Sequence, residues 1–353
     1  MISISDHIPN WLEHHRQQLI CDTGSLPAGL MLLGPTGSGK LSLGLNLCAI
    51  LFCEKPDGGE SCGKCSGCQA FSAGTHPDFH LITTEKNVDT LDKSLQGYAS
   101  RYLQQKEKRS TSRKSGQQIG VDQIRSVIER LSTHAYMGGE RIVLIAPADA
   151  LNTNSANALL KILEEPHAGC RFILLCSGRD KLPATVFSRV TVFNVSPPPI
   201  DEAANWLLDN GVPQQYTYQL VSLAAGAPLL AHRYFLEGWC DKIPIWEKVI
   251  YQLGNGKLEP VAAAKIIGVD NGPDFLFWLE GLCSALISLK HGRQNIQSVS
   301  QNKQFISLLL DKLYSVELWD MIRKLRRYRH FQQRVVDELL FLEDVLIAIW
   351  QKN

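Results

Sequence analysis

The stretch from Gly29 to Ser42, Gly-Leu-Met-Leu-Leu-Gly-Pro-Thr-Gly-Ser-Gly-Lys-Leu-Ser, constrains the fold more than any other part of the chain. Its first five residues suit a buried strand. Gly34, Gly37 and Gly39 suit a tight loop, and Leu43, Leu45, Leu47, Ile50 and Leu51 suit a largely buried helix. Strand, glycine loop and helix closing on a lysine make a P-loop, whose backbone N–H groups cradle phosphate oxygens while Lys40 adds the point charge. One part is missing: Leu41 stands where a Ser or Thr hydroxyl ligates Mg²⁺, and the hydroxyl of Ser42 comes one residue late on the helix. The loop is therefore degenerate, and the sequence leaves open whether ATP occupies it.

Ten cysteines are present, and four fall together as Cys53-x₈-Cys62-x₂-Cys65-x₂-Cys68, interrupted by Gly58, Gly59, Gly63 and Gly67. Glycines between closely spaced cysteines permit the turns that bring four thiolates to the corners of a tetrahedron around Zn²⁺. Four ligands leave no open position, so the expected site is structural. Disulfides suit this spacing poorly, and a redox Cys-x-x-Cys pair suits it less because the pairs overlap. His76, a fifth donor nearby, is read as structural.

At 353 residues the chain exceeds what one hydrophobic core normally serves, which implies two or three domains. Lys+Arg number 36 against Asp+Glu 35, a net charge of +1, so the whole-chain charge supports neither a nucleic-acid nor a membrane field. The first 18 residues hold no apolar signal core, and no later run approaches the ~20 apolar residues of a membrane span, so a cytoplasmic location is expected. Residues 86–118 are polar, and six Lys/Arg face one Glu between Arg101 and Lys114. That stretch reads as a mobile, solvated insertion, with a nucleic-acid contact as the alternative.

Further apolar runs at Phe79–Ile82, Arg141–Ile145, Arg171–Cys176 and Val190–Val195 suit strands of one parallel sheet, with helical periods over 119–132 and 154–166 between them. An active P-loop ATPase carries carboxylates at the end of the strand that here runs into Ala146 and Pro147, and Asp149 beyond them reads as a start signal for the next helix. After Leu182 and Pro183 a short helix is expected to carry Ser188 and Arg189, and nothing in the surrounding sequence calls for that arginine. Pro197, Pro198 and Pro199 mark a domain boundary. Residues 200–240 read as a small helical unit and the remainder as helical throughout. The basic cluster Arg323, Lys324, Arg326, Arg327 and Arg329 reads as a solvated helix face.

Taken together, these residues resemble the AAA+ clamp-loader family of bacterial DNA polymerase III, most closely its delta-prime branch. The carriers are the P-loop at 34–40, the inserted module Cys53/Cys62/Cys65/Cys68, Gly74-Thr75-His76-Pro77-Asp78, Asn157-Ala-Leu-Leu-Lys-Ile-Leu-Glu-Glu-Pro166, and Ser188-Arg189. The family's Ser-Arg-Cys motif has Val190 at its third position here. The resemblance implies an α/β AAA+ domain with a parallel sheet, flanking helices and a zinc-module insertion over 1–196, a helical lid over 197–240, and an all-α collar over 241–353 through which five subunits form a ring. It implies gamma/tau-like and delta-like subunits as partners, and contact with the sliding clamp and primed DNA through the complex, with no membrane. Motor subunits of the family carry a lid arginine three residues after a glycine; the matching position here is Leu229, after Gly226. Leu41, Ala146, Pro147 and Leu229 are losses at the chain's own site, whereas Arg189 is retained and is implied to act in trans as an arginine finger on a neighbour's ATP. Two other readings compete: an active gamma/tau-like ATPase, and a zinc-dependent nucleic-acid-binding module with a vestigial P-loop.

Overall fold

A computed structural model describes residues 8–21, 26–103, 115–132, 134–137, 139–268, 270–292, 299–331 and 338–350. Most of the basic stretch 101–114 lies outside the described residues, as do the side chain of Arg329 and the first residues of the leading helix. The chain divides into two compact units, Met1–Pro197 and Pro198–Asn353.

The first unit is built on five parallel strands, β1 (Gly29–Leu33), β2 (Phe79–Ile82), β3 (Arg141–Ile145), β4 (Cys170–Cys176) and β5 (Thr191–Asn194), in the order β2-β3-β4-β1-β5. Every residue of β1 and β3 is buried, which explains why these strands read as continuous apolar runs and not as an alternation. Successive side chains still point to opposite faces. Met31, Leu33, Val143, Ile145, Phe172 and Leu174 pack toward α6 (Val121–Leu131) and α7 (Thr153–Glu164). Leu32, Leu144 and Leu175 meet the other face's helix, α2 (Lys40–Leu51), at Gly44.

Helix α1 (Glu13–Cys21) precedes the sheet, and α3 (Ser66–Ser72), α4 (Glu85–Val88) and α5 (Lys93–Ser100) occupy the β1–β2 and β2–β3 connections. Strand β2 sits at the edge of the sheet yet is fully buried, because Phe71 of α3 and Tyr98 of α5 pack edge-on against Phe79 at 4.9 and 4.7 Å between ring centres. The other edge strand, β5, keeps both its end residues exposed. A four-residue helix, α8 (Ala184–Phe187), lies between β4 and β5 and ends one residue before Ser188.

Among its described residues the second unit is helical: α9 (Ile200–Asp209), α10 (Gln214–Leu223), α11 (Pro228–Leu236), α12 (Trp239–Gly254), α13 (Pro260–Ile267), α14 (Gly272–Lys290), α15 (Lys303–Lys312), α16 (Ser315–Phe331) and α17 (Glu338–Trp350). Its apolar core includes an aromatic cluster. Tyr234 stacks on Trp239 at 4.0 Å, and Trp246 packs on Phe275 and Trp278. Three members of the basic cluster of α16 are paired inside this unit: Arg323 with Asp320, Lys324 with Asp344 at 2.6 Å, and Arg326 with Glu280 at 2.8 Å. Among the described residues no helix is long and apolar enough to cross a membrane.

Candidate nucleotide loop, metal centre and arginine

The sheet register brings the strand ends level: Leu33 lies opposite both Cys176 and Asn194, and Ile145 opposite Leu174. The segments leaving these strands therefore share the carboxyl edge of the sheet, where parallel α/β folds hold their ligands. The P-loop, Ala146–Pro147, Ser177 and Val195 all follow from this placement.

Lys40 opens α2 and is only 8% exposed. Its ammonium donates to the Gly34 carbonyl at 2.6 Å and the Pro35 carbonyl at 2.7 Å, so it faces the loop's own backbone. Burial pulls its pKa down to about 8, against the opposing pull of the nearby Asp149 carboxylate. Gly39 caps the helix at φ 99°, and a Cβ there would stand 2.6 Å from Leu12 Cδ1. Trp11 next to it donates its indole N–H to the Ser38 carbonyl at 3.1 Å. The N-terminal segment thus lies directly over the loop. Gly37 has a left-handed φ, as the turn needs, but Gly34 is fixed by different contacts. Its N–H donates to the Cys176 carbonyl, and a Cβ would sit 2.0 Å from the Val195 carbonyl oxygen. Gly34 is required by the close passage of the chain leaving β5, and its N–H does not point at a phosphate.

Asp149 corrects the sequence expectation. Helix α7 is capped by Asn152, whose side chain accepts from the Ser155 N–H at 2.9 Å. Asp149 reaches across to Ser177 just past β4, accepting from its N–H at 2.9 Å and from its hydroxyl. The carboxylate whose charge acts on Lys40 is therefore tied to the strand end beside it. No sequence periodicity links residues 149 and 177.

The four cysteines converge as their spacing predicts. The sulfurs of Cys53, Cys62, Cys65 and Cys68 all lie within 4.8 Å of one another, with Cys62 and Cys68 4.0 Å apart. A tetrahedron with Zn–S bonds of ~2.3 Å has edges of roughly 3.8 Å, so this donor set fits a four-thiolate Zn²⁺ site with no open position. Backbone N–H groups already favour thiolates: Cys62 N–H donates to Cys53 Sγ at 3.2 Å, Cys65 N–H to Cys62 Sγ at 3.4 Å and Cys68 N–H to Cys65 Sγ at 3.5 Å. Hydrogen bonds from the backbone of Lys64 and Cys65 pull the Cys62 thiol down to about 6, while burial pushes Cys68 up to about 12. His76 is not among the ligands. Its ring packs on Phe52 at 3.9 Å, and its Nδ1 accepts from the Asp78 N–H. Helix α1 joins the module to the P-loop region: Arg16 donates to the Gly59 carbonyl at 2.7 Å one turn after Leu12.

Arg189 lies two residues past the end of α8 and has partners in its own unit. Its Nε donates to Glu164 Oε1 at 2.7 Å, Nη2 donates to the same oxygen, and Nη1 donates to the Thr185 carbonyl at 2.9 Å and the Ser188 hydroxyl at 3.1 Å. The side chain remains 28% exposed. Leu229, at the position that the resemblance matches to a lid arginine, is the second residue of α11, just after Pro228.

The sequence family described as DNA polymerase III, delta subunit, matches residues 13–199. DNA polymerase III subunit delta′ of Escherichia coli (strain K12) is 30% identical over 293 residues, covering 82% of this chain and 79% of that protein. The chain belongs to the delta-prime family of DNA polymerase III. Its role is therefore that of a delta-prime-like subunit of DNA polymerase III. Delta-prime subunits of Pseudomonas aeruginosa (31% identical over 59% of this chain and 56% of that protein) and Yersinia pestis (27% over 95% and 94%) are similarly related. The P-loop, the cysteine cluster and Arg189 all fall within the part matched to the delta-prime family.

Proposed function

We propose that this chain is the non-motor member of a clamp-loader ring, which hydrolyses no ATP itself and lends Arg189 to the ATP site of a neighbouring subunit. The observation that carries the first half is Lys40: its ammonium is hydrogen-bonded to the carbonyls of Gly34 and Pro35 in a loop covered by Trp11 and Leu12. Leu41 offers no hydroxyl to Mg²⁺, Ala146 and Pro147 offer no carboxylate, and Asp149 is engaged by Ser177. Both magnesium anchoring and polarisation of an attacking water are missing. Gly34, Gly37, Gly39 and Lys40 remain as the shape of a nucleotide loop without its chemistry.

Arg189 supports the second half. An arginine supplied across an interface stabilises charge developing on the γ-phosphate and is worth ~10³ to 10⁵ in rate. Cys53, Cys62, Cys65 and Cys68 would hold one structural Zn²⁺, which cross-links the module and takes no part in hydrolysis. In this reading residues 1–196 form the AAA+ domain, 197–240 the lid and 241–353 the collar. Partners are gamma/tau-like and delta-like subunits, with the sliding clamp and primed DNA reached through the complex in the cytoplasm.

The experiment is ATP turnover by the purified chain against a Lys40→Ala control. We expect equal, background rates, and Leu41→Thr alone should not raise them. Turnover above the control would favour an active gamma/tau-like motor and overturn the proposal.

A further inference from the structure

We propose that Glu164 is a positioning residue for Arg189, holding its guanidinium in the orientation from which it reaches a neighbour's phosphate. The inference rests on the trans role proposed for Arg189. Glu164 is the last residue of α7, so its backbone is fixed by a helix packed on the sheet, whereas Arg189 lies in the short link between α8 and β5. A single carboxylate oxygen, Oε1, accepts from both Nε and Nη2 and so takes one edge of the planar fork. The Thr185 carbonyl and Ser188 hydroxyl accept from Nη1.

A guanidinium has five N–H donors, and these contacts engage four. One N–H of Nη2 is left over, and the bond to the exposed Ser188 hydroxyl is neutral and readily exchanged for a charged acceptor. The edge opposite Glu164 is thus the one that can turn to a phosphate, and the carboxylate fixes which edge that is. An arginine freed of this contact would spread over its rotamers, and a misplacement of about 1 Å in a reacting constellation costs up to ~10²-fold in rate. The pair is half exposed at Glu164, so the stability it adds to its own unit is small. Orientation is the larger consequence.

The test uses the assembled complex with its ATPase subunits, comparing Arg189→Ala, Glu164→Ala, Glu164→Gln and the double variant Glu164→Ala/Arg189→Ala. We expect Arg189→Ala to lower the single-turnover rate at one interface, and Glu164→Ala to lower it roughly ten-fold with ring assembly unchanged. Glutamine keeps an acceptor oxygen and should recover the rate to within about three-fold of wild type. The double variant should be no slower than Arg189→Ala alone, because a residue acting only through Arg189 has nothing left to position. A purely structural role would give instead a lowered Tm and an additive double variant. A Glu164→Ala rate equal to or above wild type, alongside a slow Arg189→Ala, overturns the role of Glu164 and leaves that of Arg189 standing. An Arg189→Ala rate equal to wild type overturns both.

Discussion

Lys40 and His80 illustrate how burial decides what a titratable side chain can do. Lys40 keeps its proton near neutrality, since burial lowers its pKa only to about 8, and its ammonium donates to two backbone carbonyls of its own loop. His80 lies on β2 at 5% exposure, bonded through Nδ1 to the Tyr102 hydroxyl at 2.5 Å, and burial, followed by the nearby Arg101, drives its pKa down to about 4. An unfolded histidine titrates near 6.5, so between pH 6.5 and 4 the unfolded chain binds the extra proton and stability falls as the pH falls. A shift of this size corresponds to about 3 kcal/mol lost across that window. Urea midpoints measured from pH 7 to 4 should drop more steeply for wild type than for His80→Gln; parallel curves would show that His80 is not the titrating group.

Among the elements, the four-cysteine module and the α7–β4 region differ in how far the sequence revealed them. The cysteine cluster was legible because its ligands lie within sixteen positions, and turns of fixed length bring the sulfurs together. The strands β1, β3 and β4 were legible as unbroken apolar runs, which strands buried on both faces must be. The pairs Asp149–Ser177 and Glu164–Arg189 were not, since each joins segments 25 or more residues apart through sheet packing that leaves no local signal. Asp149 accordingly looked like a helix start when Asn152 was the cap. Nor did the sequence reveal that Leu12 and Trp11 lie over the P-loop. For the module itself, the expected outcome is one zinc per chain, and Cys65→Ser or chelation should lower the Tm of the first unit. A loss of ~2 kcal/mol in a unit of this size corresponds to about 4–8 °C. Metal analysis and calorimetry check this together, and a zinc-poor protein of unchanged Tm would contradict it.

For the whole molecule, one chain combines a P-loop with Leu41, Ala146 and Pro147 at the positions of the hydroxyl and carboxylates, an arginine held at the surface, and a helical second unit with its own apolar core. Membership of the delta-prime family is consistent with the proposal that this chain works through what it offers its neighbours. Near-neutral charge fits the same picture, because DNA contact made through a ring does not require this chain to be basic overall. On the proposed reading, Arg189 completes a site the chain does not own. That role is tested most directly by single-turnover ATP hydrolysis in complexes assembled with wild-type chain, with Arg189→Ala and with Arg189→Lys. All three are expected to assemble equally, with one ATP site slowed by ~10³-fold or more in the alanine complex and poorly rescued by lysine, whose ammonium cannot bond two phosphate oxygens in a fork. Intact complexes in which Arg189→Ala hydrolyses ATP at every site as fast as wild type would contradict that role.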